Sequence, residues 1–300
     1  MRILALALAG AAALSAPAFA APAARQMKCP VGGATFSFTP GEPVSVYGER
    51  PDGRPYGLAK VLPLPECPGN GLVLYKDYEA EEVAKLEPLV ASEAYQGLRK
   101  GDTQYYRAYW LMREMGLEPQ RYLWALLQAS WEADGDPELR KRYLAELAEA
   151  SGKVPASLDD LNWIGMEGRA INALRELGRF DEAKARLAKV PLQKLDVKMP
   201  TGEAATPQAM AHVRTRRGWL AFFQGMKPVL ERQDGSLEPV DLLPRNVALT
   251  RCAEAADKLD ERGRAFCEKE AEAVEQLRLA RAKAAKELDA LKRSRETSGR

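Results

Sequence analysis

Apolar positions change character along this chain at about residue 79. From Glu79 onward they recur every three or four residues among charged ones, the spacing of one helix face. Glu79–Arg99 carries Val83, Leu86, Val90 and Leu98, with Pro88 expected to kink or weaken it. Gln104–Met115 follows, capped by Asp102 or Thr103, with Tyr105, Ala108, Tyr109, Leu111 and Met112 on its apolar face. Gly116 stops it at the position where glycine escapes the left-handed penalty. Pro119 opens a helix to about Ala133, and Asp136-Pro137 opens another over Glu138–Ala150. Ser157–Leu177, Asp181–Lys189 and Gln208–Phe223 complete the series, with Trp219, Leu220, Phe222 and Phe223 as core contacts of the last. Leu192–Pro207 and Gly225–Pro244 read as long loops and as candidates for a binding rim. Asn246–Leu259 and Arg264–Arg295 predict a final hairpin turning near Glu261-Arg262-Gly263.

Residues 28–78 have a different pattern. Their apolar residues come in short runs, Thr35–Phe38, Val44–Tyr47, Leu58–Leu62 and Leu72–Tyr75, separated by Pro- and Gly-rich turns such as Arg50-Pro51-Asp52-Gly53. That spacing predicts a small antiparallel unit of three or four strands, preceded by a loose linker over Ala21–Met27.

Short glycine turns between helices make neighbours antiparallel. Ala108–Gly116 (AYWLMREMG) is matched by Ala170–Gly178 (AINALRELG), and a helical unit used twice suggests a solenoid. The stretch Leu177-Gly178-Arg179-Phe180-Asp181-Glu182-Ala183 resembles the turn and second-helix start of a tetratricopeptide repeat. It departs from that family in the pattern of its first helix and in the early Pro191. Cys29-Pro30-Val31-Gly32-Gly33 and Cys67-Pro68-Gly69-Asn70-Gly71 each resemble the zinc knuckle C-P-x-C-G with the second Cys replaced. The order of parts over about residues 28–190 is similar to that of bacterial proteins with paired knuckles ahead of tetratricopeptide-like helices. This resemblance implies architecture and no activity. Two thiolates do not fill a tetrahedral zinc site. Facing knuckles would bring Cys29 and Cys67 within bridging range, as a ribbon whose metal is replaced by a disulfide. A β-rich cap with a disulfide and no ribbon ancestry is the alternative. The expected fold is mainly α, antiparallel helical hairpins in a tetratricopeptide-like solenoid with a small N-terminal β-rich unit. Its parts are a leader at 1–20, the β-rich unit at 28–78, the helical domain at 79–243 and the C-terminal hairpin at 245–296.

Arg2, the apolar run Ile3–Leu14 and Ala18-Phe19-Ala20 have the layout of a secretory leader cleaved after Ala20. No later stretch approaches the roughly 18 apolar residues of a membrane helix. The expectation is a periplasmic or secreted protein. Export gives the four cysteines their meaning, because an even number in an oxidising compartment favours disulfides. Four cysteines allow three pairings, of which sequence distance favours Cys29–Cys67 with Cys252–Cys267.

Among 300 residues with 46% apolar content, the formal charge of +2 offers no clustered basic face for nucleic acid. The single histidine, His212, has no nucleophile near it in sequence. Asp159-Asp160 suits a helix start. No cofactor or metal site is predicted. Tyr105, Tyr109 and Trp110 are the candidate binding residues, as an aromatic cluster that a groove would use or a hairpin core would absorb. The expected function is a non-catalytic scaffold recognising a protein or peptide on its helical face. The alternatives are an envelope enzyme using Asp or Glu residues and a metal-binding ribbon protein. The chain is expected as a monomer, or as a dimer through the C-terminal helix. Intact mass of the mature protein with and without reduction checks these expectations: residues 1–20 absent, four thiols blocked and no metal. Free thiols with one bound zinc would reverse both the compartment and the knuckle reading.

Overall fold

The computed structural model describes residues 23–42, 45–57 and 60–298. The predicted leader therefore lies outside the described residues. The fold is mainly α, with eleven α-helices among the described residues and one two-stranded antiparallel sheet. No described helix is long and apolar enough to cross a membrane.

Strand β1 (Arg25–Lys28) pairs with β2 (Thr35–Phe38) in the register Arg25↔Phe38 to Lys28↔Thr35. Part of the expected loose linker is thus a strand. The predicted strand Leu72–Tyr75 does not form, and the predicted runs Val44–Tyr47 and Leu58–Leu62 lie partly outside the described residues; among the described residues only the isolated bridges Glu49↔Pro55 and Glu66↔Val73 lie beyond this ladder. Pro- and Gly-rich backbone between them leaves too few consecutive donors for a longer ladder.

Both knuckle-like turns face each other. Cys29 is bonded to Cys67 with the Cα atoms 5.6 Å apart. Asn70 Nδ2 donates to the Val31 carbonyl across the gap at 3.0 Å. A Cβ on Gly32 would lie 3.8 Å from that same amide. Gly32 and Asn70 therefore meet across the gap. Their turns close on glycine in the left-handed region, Gly33 at φ +68° and Gly71 at φ +73°.

The N-terminal unit shares an apolar core with the first helices. Cys29, Val31, Cys67, Leu72 and Val73 pack with residues of α1 (Ala80–Ala91), α2 (Glu93–Gly101) and α3 (Gln104–Glu114). Pro88 does not kink a single helix here. α1 stops at Ala91, and extended Ser92 caps α2 by accepting from the Tyr95 amide at 3.2 Å. Thr103, rather than Asp102, caps α3. Gly116, at φ +72°, lets the Leu117 amide turn back to the Met112 carbonyl.

α4 (Pro119–Glu132), α5 (Pro137–Ser151), α6 (Leu161–Glu176), α7 (Phe180–Leu187) and α8 (Pro207–Glu231) continue as antiparallel neighbours. α6 touches α4 on one side and α8 on the other, so these three make one layer, with α5 and α7 behind them. Asp160 caps α6 through the Asn162 amide, which explains one of the two adjacent aspartates. The matched segments 108–116 and 170–178 fall in α3 and α6, an odd step apart and so in opposite layers. What they share is a way of ending a helix: Gly178, at φ +73°, repeats the Gly116 stop.

The second predicted loop is shorter than expected. α8 runs through Pro228 to Glu231 because buried Met226, Val229 and Leu230 hold its last turns, while the carbonyl that proline leaves unpaired belongs to exposed Gln224. The last hairpin also turns elsewhere. α9 (Arg245–Ala255) ends in a 3-10 turn over Ala256–Lys258, Asp260 caps α10 (Glu261–Lys269), and Glu270 separates α10 from α11 (Ala271–Ser298). Cys252–Cys267 staples α9 to α10, Cα to Cα 5.4 Å.

Glycine sets the spacing between α6 and α8. A Cβ on Gly168 would lie 2.6 Å from the Trp219 ring, whereas one on Gly218 of α8 would meet nothing within 4 Å. Gly168→Ala is expected to destabilise the protein by about 1–3 kcal/mol through overpacking. Gly218→Ala is expected to be neutral or stabilising by up to about 1 kcal/mol. Urea unfolding midpoints of the two variants check the pair.

Candidate functional site

Residues 48–56 lie against side chains of α4 and α6, beside a cleft along α8; we term the two together the groove. Residues 48–56 form a tight hairpin: the Tyr56 amide donates to the Gly48 carbonyl and the Gly53 amide to the Arg50 carbonyl, both at 2.8 Å. Gly53 sits at φ +88°, and a Cβ there would meet Arg169 Nε at 2.6 Å. The tip, Arg50-Pro51-Asp52-Gly53, is buried. Its main chain is read by helix side chains. Arg169 Nη1 donates to the Pro51 carbonyl at 2.7 Å, and Trp131 Nε1 to the Asp52 carbonyl at 3.2 Å.

Charges converge beneath the tip. Asp52, 1% exposed, accepts from Arg50 Nη2 at 2.5 Å, from Arg140 Nη2 at 2.9 Å and from the Arg54 amide at 3.0 Å. Asp134 at the end of α4 accepts from Arg50 Nη1 and Arg140 Nη1, each at 2.8 Å, and also pairs with Arg54. Arg140 on α5 reaches Glu176 on α6 at 2.8 Å, and Asn172 Nδ2 donates to the other Glu176 oxygen at 2.8 Å. Arg169 Nη2 holds Glu49 at 2.7 Å.

A second segment lies over the same layer. Arg175, completely buried, donates to the carbonyls of Asp234 and Ser236 at 2.8 and 2.5 Å. Glu238 then joins the two segments: it accepts from Tyr56 Oη at 2.9 Å and pairs with Arg251. Residues predicted as a binding rim are thus a strap that clasps the hairpin.

Burial and partners shift these groups in opposite directions. Burial resists ionisation of Asp52, but the Arg50 hydrogen bonds and charge, with Arg140, win and hold its carboxyl below the ordinary value of 3.8. For Glu176 burial prevails over the pull of Arg140 and raises it above 4.5. Burial also lowers Arg169 and Arg175 against their neighbouring carboxylates. Arg169 Nε and Arg175 Nη2 are buried with no hydrogen-bond partner.

Beside the hairpin the groove stays open as a cleft of about 640 Å³ between α6, α8 and the 241–244 segment. Its wall is aromatic. Trp219 and Phe222 pack edge to face, and the Arg169 guanidinium lies 4.8 Å from the Trp219 ring centroid and 5.6 Å from that of Phe222. Thr215, Gly218 and Ala221 of α8 form its exposed lip.

The aromatic residues singled out from sequence do not share a groove. Tyr105 donates to the Leu62 carbonyl at 3.0 Å, toward the N-terminal unit. Tyr109 is buried in the α3–α6 core and donates to Glu146 at 2.6 Å. Trp110 turns the other way and packs against Tyr95. Cys29, Cys67, Cys252 and Cys267 are all in disulfides, and no group of three or more His, Cys, Asp or Glu among the described residues is placed to hold a metal. His212 is exposed on α8. The groove itself was signalled by α6: its segment Trp163–Arg175 is buried throughout yet contains Glu167, Arg169, Asn172 and Arg175. Polar groups on a fully buried helix need partners brought from elsewhere.

Compared with protein-family models, curated proteins and solved structures, the chain matches none.

The hairpin is expected to undock in acid. Asp52, with its lowered pKa, contributes stability that is complete above about pH 3.8 and is lost as pH falls through its folded value. Glu176, with its raised pKa, works the opposite way: its contribution is whole below 4.5 and declines as pH rises through its folded value. Hydrogen exchange of the amides at 50–56, measured against pH, should show protection collapsing below pH 3.8. An Asp52→Asn chain should lack that acid limb.

Proposed function

We propose that this chain is an exported, non-catalytic binding protein that holds a protein or peptide partner on the inner face of its helical stack. The supporting observation is the chemistry of that face. Arg169, Trp131 and Arg175 already hold main-chain carbonyls of two other segments, and the Trp219–Phe222 cleft continues the same surface. Main-chain carbonyls are present in any extended partner, so such donors grip a peptide whatever its side chains. An aromatic wall supplies apolar area at low conformational cost, the property that makes Trp a frequent anchor at interfaces. In this reading the tetratricopeptide-like stack is a scaffold, and the knuckle-like unit caps it and supplies the hairpin that shapes one end of the groove. The two disulfides support export.

A photo-crosslinking residue at Ala221, on the cleft lip, is expected to capture one discrete partner in the periplasmic extract, and the same residue at exposed Lys283 of α11 none. With that partner purified, Trp219→Ala should weaken binding by about 2 kcal/mol, the range of a buried aromatic anchor. Equal affinity of the wild-type and Trp219→Ala chains would remove the cleft from the binding surface.

A further inference from the structure

The tip of the 48–56 hairpin is buried, but not by apolar packing. No described residue between 37 and 63 belongs to any of the four apolar clusters. Its tip is held by ion pairs and by hydrogen bonds to its carbonyls. Buried ion pairs of this kind gain little net stability, because desolvation offsets their attraction. Its stems face solvent: Val46 and Tyr47 are 56% and 55% exposed, and Gly57 is exposed. Docked and undocked hairpins therefore differ less in free energy than burial of the tip alone suggests.

The groove floor is also imperfectly neutralised. Without the hairpin, Arg140, Arg169 and Arg175 are left with the carboxylates of Asp134 and Glu176 and with Asp234 near Arg175, which also keeps the Asp234 and Ser236 carbonyls. Asp234 is committed to Arg232 and Ser236. The hairpin brings Glu49 and Asp52 but also Arg50 and Arg54, so it adds no net negative charge. Arg169 Nε and Arg175 Nη2 stay without a hydrogen bond even when it is docked.

We propose that the inner groove is a docking site for an acidic reverse turn of a partner protein, and that the chain's own 48–56 hairpin is the resident occupant such a turn displaces. This rests on the binding role proposed above and names the partner's chemistry. A carboxylate takes the place of Asp52 between Arg140 and the floor. Two successive carbonyls take those of Pro51 and Asp52 on Arg169 and Trp131. A turn with fewer basic residues than Arg50-Pro51-Asp52-Gly53-Arg54 fits the excess of floor arginine better than the resident does. An apolar or aromatic side chain beyond the turn enters the Trp219–Phe222 cleft. The resident hairpin lowers the apparent affinity by the fraction of molecules in which the groove is empty.

The test uses the full chain and a fluorescent peptide with the sequence of residues 47–57, read by anisotropy, with an Asp52→Asn peptide as control. Two chain variants loosen the resident hairpin. Asp52→Asn removes its carboxylate, and Gly53→Ala places a Cβ against Arg169 at a backbone angle that favours glycine, leaving the charges intact. Hydrogen exchange at 49–56 reports the loosening, and near-ultraviolet circular dichroism reports that the rest stays folded. Both loosened chains are expected to bind the peptide at least about tenfold more tightly than wild type, with the Asp52→Asn peptide weaker by a similar factor. Loosened, folded chains that bind neither peptide would overturn the proposal. So would hairpins that stay protected in both variants. Cross-linking at Ala221 that persists in those cases would leave the binding role standing while removing the displaced-hairpin account.

Discussion

A carboxylate at 1% exposure cannot remain ionised without cations around it, and Asp52 has two guanidinium groups within hydrogen-bond distance. One belongs to its own hairpin and the other, Arg140, to α5. Arg140 also ties Asp134, just beyond the end of α4, to Glu176 of α6. The α4–α6 region and a loop of the N-terminal unit thus depend on one another through shared charges. Removing any member strands another in a low-dielectric site, so this cluster specifies one arrangement more than it adds stability.

Apolar packing does the rest of the holding. One core joins the disulfide-linked turns to α1–α3, a second fills the space among α3–α6, and a third lies among α6–α8. The charged groove lies where these cores end. Gly165 and Gly168 let Trp219 approach α6 closely, which puts that indole under Arg169 and beside the open cleft. The ring therefore closes the core and forms the wall of a surface site.

The Cys29–Cys67 bond closes a loop with a sequence separation of 38, and the hairpin lies near its middle. A closed loop has fewer conformations to lose on docking its tip than an open one. The Cys252–Cys267 staple acts at the other end, holding α9 against α10 while Arg251 reaches Glu238 and Asn246 Nδ2 donates to the Tyr47 carbonyl at 2.6 Å. Both disulfides bound segments that meet on the groove.

Most helices, their glycine stops and the Asp136 and Thr103 caps were legible in the residues, because those signals act within a turn or two of the chain. Asp136-Pro137, Gly116 and Gly178 are such cases, whereas the Ser92 cap that divides Glu79–Arg99 was not legible. Both disulfide pairings were favoured by cysteine spacing. Strand pairing in residues 45–75 was not legible, since a ladder needs a partner at the right register and these segments are instead held by helix side chains. Tyr109 and Trp110 looked like one cluster in sequence, but a helix turns neighbouring residues to different faces, and they entered different cores. Arg50-Pro51-Asp52-Gly53 read only as a turn, which it is. What made it a groove ligand was Arg140, Arg169 and Trp131, all far away in sequence. Local chemistry is determined by neighbours along the chain, whereas a site of long-range ion pairs exists only once tertiary packing has brought the charges together and excluded water from them.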